Sequence, residues 1–188
     1  MRVAGALLLS VVVTLTPPPT PPVPVSLFEF DGPDASAAWS VVNDGVMGGR
    51  SQGFVAGGTG TLRFTGTLVT RGGGFTSMRA PREIDLTGAV GVELRVRGSG
   101  RPFEVEIDDG WRAYGRRVSR RAPFATTPEW AIVRVPFRVL RSTIFGQEVA
   151  APAIDLARIR GIGVFLADGR DGPFALEIDY IRAYGPND

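Results

Sequence analysis

"WSVVNDGVMGGRS", Trp39 to Ser51, runs an apolar strand-like piece directly into Asn-Asp-Gly, then Val-Met, then Gly-Gly. An Asp-Gly pair alone makes a hairpin turn. Here Asn43, Asp44 and Gly45 all tolerate positive φ, and Gly48 and Gly49 do so without steric cost. A loop of this kind lets a second backbone, or a ligand, come close. "RGGGFTSMR", Arg71 to Arg79, makes the same offer, with three glycines, a single aromatic in Phe75, then Ser77 and Arg79 on one face of a strand. Read separately, each is a turn. Read together, they predict two glycine-rich loops meeting at one end of a β-sandwich.

The flanking sequence has the matching period. "VGVELRVRG" puts Val92, Leu94 and Val96 on one face and Glu93, Arg95 and Arg97 on the other. "FEVEID" turns Phe103, Val105 and Ile107 inward in the same way. "SLFEF", "WSVV", "WAIVRVPF", "IRGIGVFLAD" and "FALEIDYIRAYG" read as further strands, and "GTLRFTGTLVT" reads as a hairpin with a glycine between its arms. "IDLARIRGIG" has room for one helical turn before its strand. Strand and helix do not alternate, so a parallel α/β sheet is excluded. The expected fold is all-β, an antiparallel two-sheet sandwich of jelly-roll type over residues 26–188.

Composition narrows the chemistry. Among 188 residues there are 25 glycines and 15 prolines, which suits a turn-rich β domain. There is no Cys and no His, and all 21 basic residues are Arg. Disulfides, thiol nucleophiles, Cys-ligated zinc, the usual neutral-pH base, Schiff bases and a P-loop lysine are thereby excluded. The pI near 9.6 does not point to nucleic acid, because the net charge is only +2 against 19 acids. The densest basic run, "RAYGRRVSRR" from Arg112 to Arg121, reads either as a patch for an anionic ligand or as a solvated strand face, and the balanced charge favours the second. The alternating acids Glu104, Glu106 and Asp108 read as a wet sheet face rather than a glycosidase pair. Asp31, Asp34 and Asp179 could offer oxygen ligands to Ca²⁺, a weak alternative to an expectation of no metal and no cofactor.

Residues 1–15 carry one Arg followed by about a dozen apolar residues, too short a run to span a bilayer comfortably. A proline tract follows, "TPPPTPPVPVS", which cannot join a sheet interior and forms an extended spacer. Residues 1–25 therefore read as a signal-like segment or a membrane tether, and the expected location is periplasmic or extracellular.

The quoted motifs, together with "IDLTGAVGVELRVRGSGRPFEVEI" and "IDLARIRGIGVFLADGRDGPFALEIDYIRAY", resemble the complex I intermediate-associated protein family, the thirty-kilodalton one. The likeness runs in order through nearly all of residues 27–184. The family's shared residues match Trp39, Asp44, Gly45, Met47, Gly48, Gly49, Ser51, Gly73, Gly74, Phe75, Ser77 and Arg79 here. Gly72 is a departure, standing where the family often has Asn. The resemblance implies a galactose-binding-like sandwich and kinship with an assembly chaperone of NADH:ubiquinone oxidoreductase. It supplies no catalytic residues.

The resulting expectation is a non-enzymatic binding or assembly module. Its candidate surface is Asp44, Met47, Gly48, Gly49, Ser51, Gly73, Gly74, Phe75, Ser77 and Arg79, and its partner is a protein. An exported carbohydrate-binding module is the alternative, with Trp111, Tyr114 and Trp130 as candidate sugar platforms. Within the loops, Met47 is expected to pack near Phe75. Asp44 is expected either to cap N–H groups of its own turn or to pair with Arg79.

Overall fold

The computed structural model describes residues 24–188. The signal-like segment and most of the proline tract lie outside the described residues. The strands in chain order are β1 (Val25–Glu29), β2 (Ser40–Asn43), β3 (Gln52–Gly57), β4 (Leu62–Leu68), β5 (Thr76–Ile84), β6 (Gly91–Gly98) and β7 (Phe103–Asp108). They continue as β8 (Arg112–Ala113), β9 (Arg116–Arg117), β10 (Ser119–Phe124), β11 (Ala131–Pro136), β12 (Arg141–Ile144), β13 (Gln147–Glu148), β14 (Ile159–Leu166) and β15 (Gly172–Tyr184). Three short 3₁₀ turns are the sole helical elements among the described residues, and one of them, Leu156–Arg158, is the turn anticipated before β14.

Two sheets form the expected all-β antiparallel sandwich. The first runs β11-β6-β15-β4-β3, with β1 continuing beside β15 where β4 ends. The second runs β13-β12-β10-β7-β14-β5-β2. The short β8–β9 hairpin stands apart from both.

The core follows from the alternation. Val92, Leu94 and Val96 of β6 face Phe103, Val105 and Ile107 of β7 across the sandwich, all at most 1% exposed. Phe64, Phe103 and Phe174 form the aromatic centre, with ring centroids 4.9 to 6.4 Å apart in edge-on and tilted pairs. Burying each such ring contributes about 1.5–3 kcal/mol. Trp39 packs on Phe28 at 4.9 Å and on Phe30 at 6.2 Å, so the residue that opens the first motif is itself core.

One expected hairpin is corrected. "GTLRFTGTLVT" is a single strand, β4, paired on one side with β15 and on the other with β3, which the sequence did not announce. Gly66 lies within the strand opposite Gly53. It is glycine because a Cβ there would sit 1.9 Å from the Gln52 carbonyl oxygen. The need is a close backbone approach, not a turn.

Candidate functional site

β2 ends at Asn43 and the chain drops into a 3₁₀ turn, Asp44–Met47, closed by Gly48 at φ 84°. Gly48 N–H donates to Gly45 O and Gly49 N–H to Asp44 O, so the chain reverses around the Asp44 side chain. That carboxylate is fully buried. Its Oδ1 accepts from Ser51 N–H at 2.9 Å. Its Oδ2 accepts from Ser51 Oγ–H at 2.7 Å, from Gly74 N–H at 2.6 Å and from Phe75 N–H at 3.3 Å. Ser51 Oγ accepts in turn from Val69 N–H at 3.1 Å. One aspartate therefore ties its own loop to the second glycine loop, some 30 residues later in the chain.

The glycines follow from that carboxylate. A Cβ on Gly49 would lie 2.1 Å from Asp44 Cγ, and one on Gly73 would lie 2.5 Å from Asp44 Oδ2. Asn43 adds a second stitch by accepting from Gly53 N–H at 3.0 Å and from Thr76 Oγ–H at 2.6 Å. Burial pushes the Asp44 carboxyl up. The hydrogen bonds from Gly74, the Ser51 side chain and backbone, and Phe75 outweigh it, and the net direction is below the ordinary aspartate value.

The two loops thus adjoin, as expected, but their side chains differ from expectation. Met47 does not fold inward; it is 61% exposed on the outer side of the turn. Phe75 stacks instead on Phe165, centroids 5.2 Å apart. Asp44 caps backbone donors, but those of Ser51, Gly74 and Phe75 rather than those of its own turn, whose Gly48 and Gly49 N–H groups go to backbone oxygens. It does not pair with Arg79, whose partner is Glu106. Ser77 is buried and donates to Val42 O at 3.3 Å. Arg79 lies over the Phe165 ring and pairs with Glu106, Nε to Oε1 3.3 Å. Ser77 and Arg79 share the outer face of the second sheet, opposite Phe165 and Gly163 in register.

That outer face carries a charged lattice. Glu106, read as wet, is only 2% exposed because Arg79 and Arg117 cover it, the latter at 2.8 Å. Arg117 also holds Asp108 at 3.0 Å, and Arg121 and Arg141 hold Glu104 at 3.0 and 3.1 Å. The basic run is likewise not a simple solvated face, since Arg120 and Arg121 are buried. Burial and the neighbouring Arg117 and Arg121 push the Arg79 guanidinium down, against the opposing pull of Glu106. Where β14 has only Gly161 and Gly163, the face sinks into a groove of about 340 Å³ between Arg79 and the wall of Glu106, Asp108 and Arg117.

The proposed sugar aromatics do not form one platform. Trp130 lies between Arg95 and Arg97 on the outer face of the first sheet, each guanidinium 4.9 Å from the ring. Trp111 and Tyr114 belong to the β8–β9 hairpin after β7 of the second sheet. Asp179 accepts from Arg95 at 2.6 Å, and no cluster of metal-ligating side chains occurs among the described residues.

Comparison with known proteins places this geometry. The profile of the complex I intermediate-associated protein 30 family matches residues 28–178. The mouse mitochondrial protein of that name is 32% identical over 170 residues, covering 78% of this chain and 52% of the relative. The Drosophila melanogaster protein is 27% identical over 184 residues, covering 82% and 61%. The chain therefore spans about half the length of the mouse relative. Among solved structures, a family 11 carbohydrate-binding module from Clostridium thermocellum, in complex with a mixed-linked tetrasaccharide, superposes with a TM-score of 0.62 at 17% identity. It covers 86% of this chain and 96% of its own. An agarase superposes with a TM-score of 0.60 at 14% identity, covering 87% of this chain and 26% of the enzyme. At such identities the structural likeness speaks for the fold alone.

Proposed function

We infer that this chain, which belongs to the complex I intermediate-associated protein 30 family, is a non-catalytic module that binds a protein partner and supports assembly of a larger complex. The observation that carries the reading is the Asp44 latch. The one acid of the motif is consumed internally, with its oxygens filled by four donors. It holds a rigid loop whose apolar residue, Met47, points outward. Phe54, also 61% exposed, stands on the neighbouring edge strand β3. A rigid scaffold presenting an apolar residue on a loop is a means of binding, and a methionine suits an adaptable contact.

The test is capture of partners from membrane extracts by the wild type and by Met47→Asp. Because Met47 is exposed, the substitution should change stability by no more than about 0.5 kcal/mol. Partner capture should weaken about tenfold or more. Unchanged capture by the folded variant would remove Met47 from the contact.

Location outside the cytoplasm belongs to the same proposal and rests on the apolar residues 1–15 and the proline tract. Fractionation of cells expressing the tagged full chain should recover it from the exported or membrane fraction. A wholly cytoplasmic pool would refute this.

A second reading, an exported carbohydrate-binding module, has the outer-face groove in its favour. Fixed Arg–carboxylate pairs around a glycine floor offer donors and acceptors to sugar hydroxyls. Glycan-array binding that Asp108→Ala abolishes and Met47→Asp leaves intact would select that reading.

A further inference from the structure

Two hairpin tips carry aromatic residues where the backbone disfavours them. Tyr114, between β8 and β9, has φ 51° and is followed by Gly115 at φ 71°. Phe145, between β12 and β13, has φ 50° and is followed by Gly146 at φ 80°. Consecutive positive φ values mark two-residue type I′ turns, whose first position favours Asn, Asp or Gly. A bulky residue there is held against a steric cost. Burial does not compensate, since Tyr114 is 93% exposed and Phe145 74%.

The tips stand side by side, with the Arg116 guanidinium 5.4 Å from the centre of the Phe145 ring. Trp111 is half-exposed at the base of the first hairpin. Arg112 donates to Gly115 O at 2.9 Å, which braces the first turn. Neither "WRAYGRR" (111–117) nor "IFGQ" (144–147) contains a carboxylate. The acids behind them are already paired, Asp108 with Arg117 and Glu148 with Arg141.

Strand register fixes which end this is. On the second sheet, Thr76 of β5 pairs with Asn43, beside the latch, and with Leu166, while Gly161 pairs with both Pro81 and Asp108. The β8–β9 hairpin leaves from Asp108 and the β12–β13 tip lies beyond the Ser119–Thr143 pair. Both tips therefore project from the end opposite the Asp44 latch.

We propose that this end is a docking surface for an anionic lipid bilayer, with Tyr114 and Phe145 entering the interface and Arg112 and Arg116 meeting the headgroups. Aromatic rings favour the interfacial layer, and arginines near it gain from negative lipid. Two separated, projecting rings on an acid-free basic tip fit a soft anionic layer better than a flat sugar face. The surface is distinct from the partner site of the preceding section, so either can fail alone.

The test is co-sedimentation of the full chain with phosphatidylcholine vesicles, pure or containing about a third phosphatidylglycerol. The wild type should prefer the anionic vesicles, and added salt should weaken binding. The double variant Tyr114→Asn, Phe145→Asn should lose about a hundredfold in partitioning onto anionic vesicles, or about tenfold per ring. Asn suits both turns, so its thermal midpoint should be unchanged or raised. Arg116→Gln should weaken anionic binding about fivefold and leave neutral binding alone. Because the apolar N-terminal segment is common to all variants, the differences report on the tips. Equal partitioning of wild type and double variant would overturn the proposal. So would equal wild-type binding to neutral and anionic vesicles, or a double variant that loses capture of a protein or glycan while keeping its lipid binding.

Discussion

Asp44→Ala is expected to destabilise the fold by about 3–5 kcal/mol, a large share of a typical total of about 5–15. The substitution removes one carboxylate and strands the N–H groups of Ser51 and Gly74, and the weaker Phe75 bond, around a small cavity. A buried donor left without a partner costs about 1–3 kcal/mol, so the losses accumulate. Gly49→Val should approach the same damage from the other side, since its Cβ would collide with the carboxylate. Asp44→Asn should fall between, because it keeps one acceptor but presents an NH₂ to donors. Acid should reproduce the effect. The folded-state pKa of Asp44 is lowered, so its contribution is complete above the unfolded value of about 4 and is lost as pH falls through the lower folded value. Urea unfolding of wild type and Asp44→Asn from neutral pH downward should therefore converge below about pH 4. A cost under about 1 kcal/mol for Asp44→Ala would mean that the latch does not hold the loops together.

The latch also marks the limit of what could be read from the chain. Glycines at 48, 49, 73 and 74 announced two loops with unusual backbone, and their meeting was legible because both needed close approach. Which way Met47 would point was not legible, since glycine spacing constrains backbone and leaves the flanking side chain free to face either side. The donors to Asp44 were hidden for a different reason. Two of them come from Gly74 and Phe75, and only the pairing of β2 with β5 brings those N–H groups to it. β6 and β7 were plain because one face of each meets a dry core and the other meets charge. β10 was not, because "SRRAPF" buries two adjacent arginines where alternation expects one apolar and one exposed residue. Glu104 of β7 and Asp109 just after it explain this, pairing with Arg121 and Arg120. Arg121 stands opposite Glu106 in register, and the sheet face that looked wet is a neutralised ionic layer.

Arg120 makes the strongest case that this basic run is structural, and Arg120→Met is expected to cost about 3–5 kcal/mol. Its side chain is 3% exposed and its partner Asp109 is 1% exposed, with Nη2 to Oδ2 at 2.9 Å. Nη1 also donates to Ser142 Oγ at 2.6 Å and to Pro152 O at 2.8 Å, pinning β12 and the segment before the last 3₁₀ turn. Asp109 accepts from Trp111 N–H and Asp155 N–H as well. Removing the guanidinium leaves a buried carboxylate with only two neutral donors. A surface pair offers the contrast. Arg158 and Asp155 are 73% and 39% exposed, and Arg158→Ala should change stability by no more than about 0.5 kcal/mol. Arg120→Met combined with Asp109→Asn should recover part of the single-variant loss, because Asn keeps an acceptor for one of the two backbone donors and carries no charge to strand. Chemical denaturation of the four members of this cycle gives the coupling directly, expected at about 2–3 kcal/mol. Additive losses, or a single-variant cost near that of Arg158→Ala, would return the run to the role of a solvated face. A coupled loss would instead mean that the arginines of this strand are spent on holding the fold, leaving only the tip residues Arg112 and Arg116 to meet an outside partner.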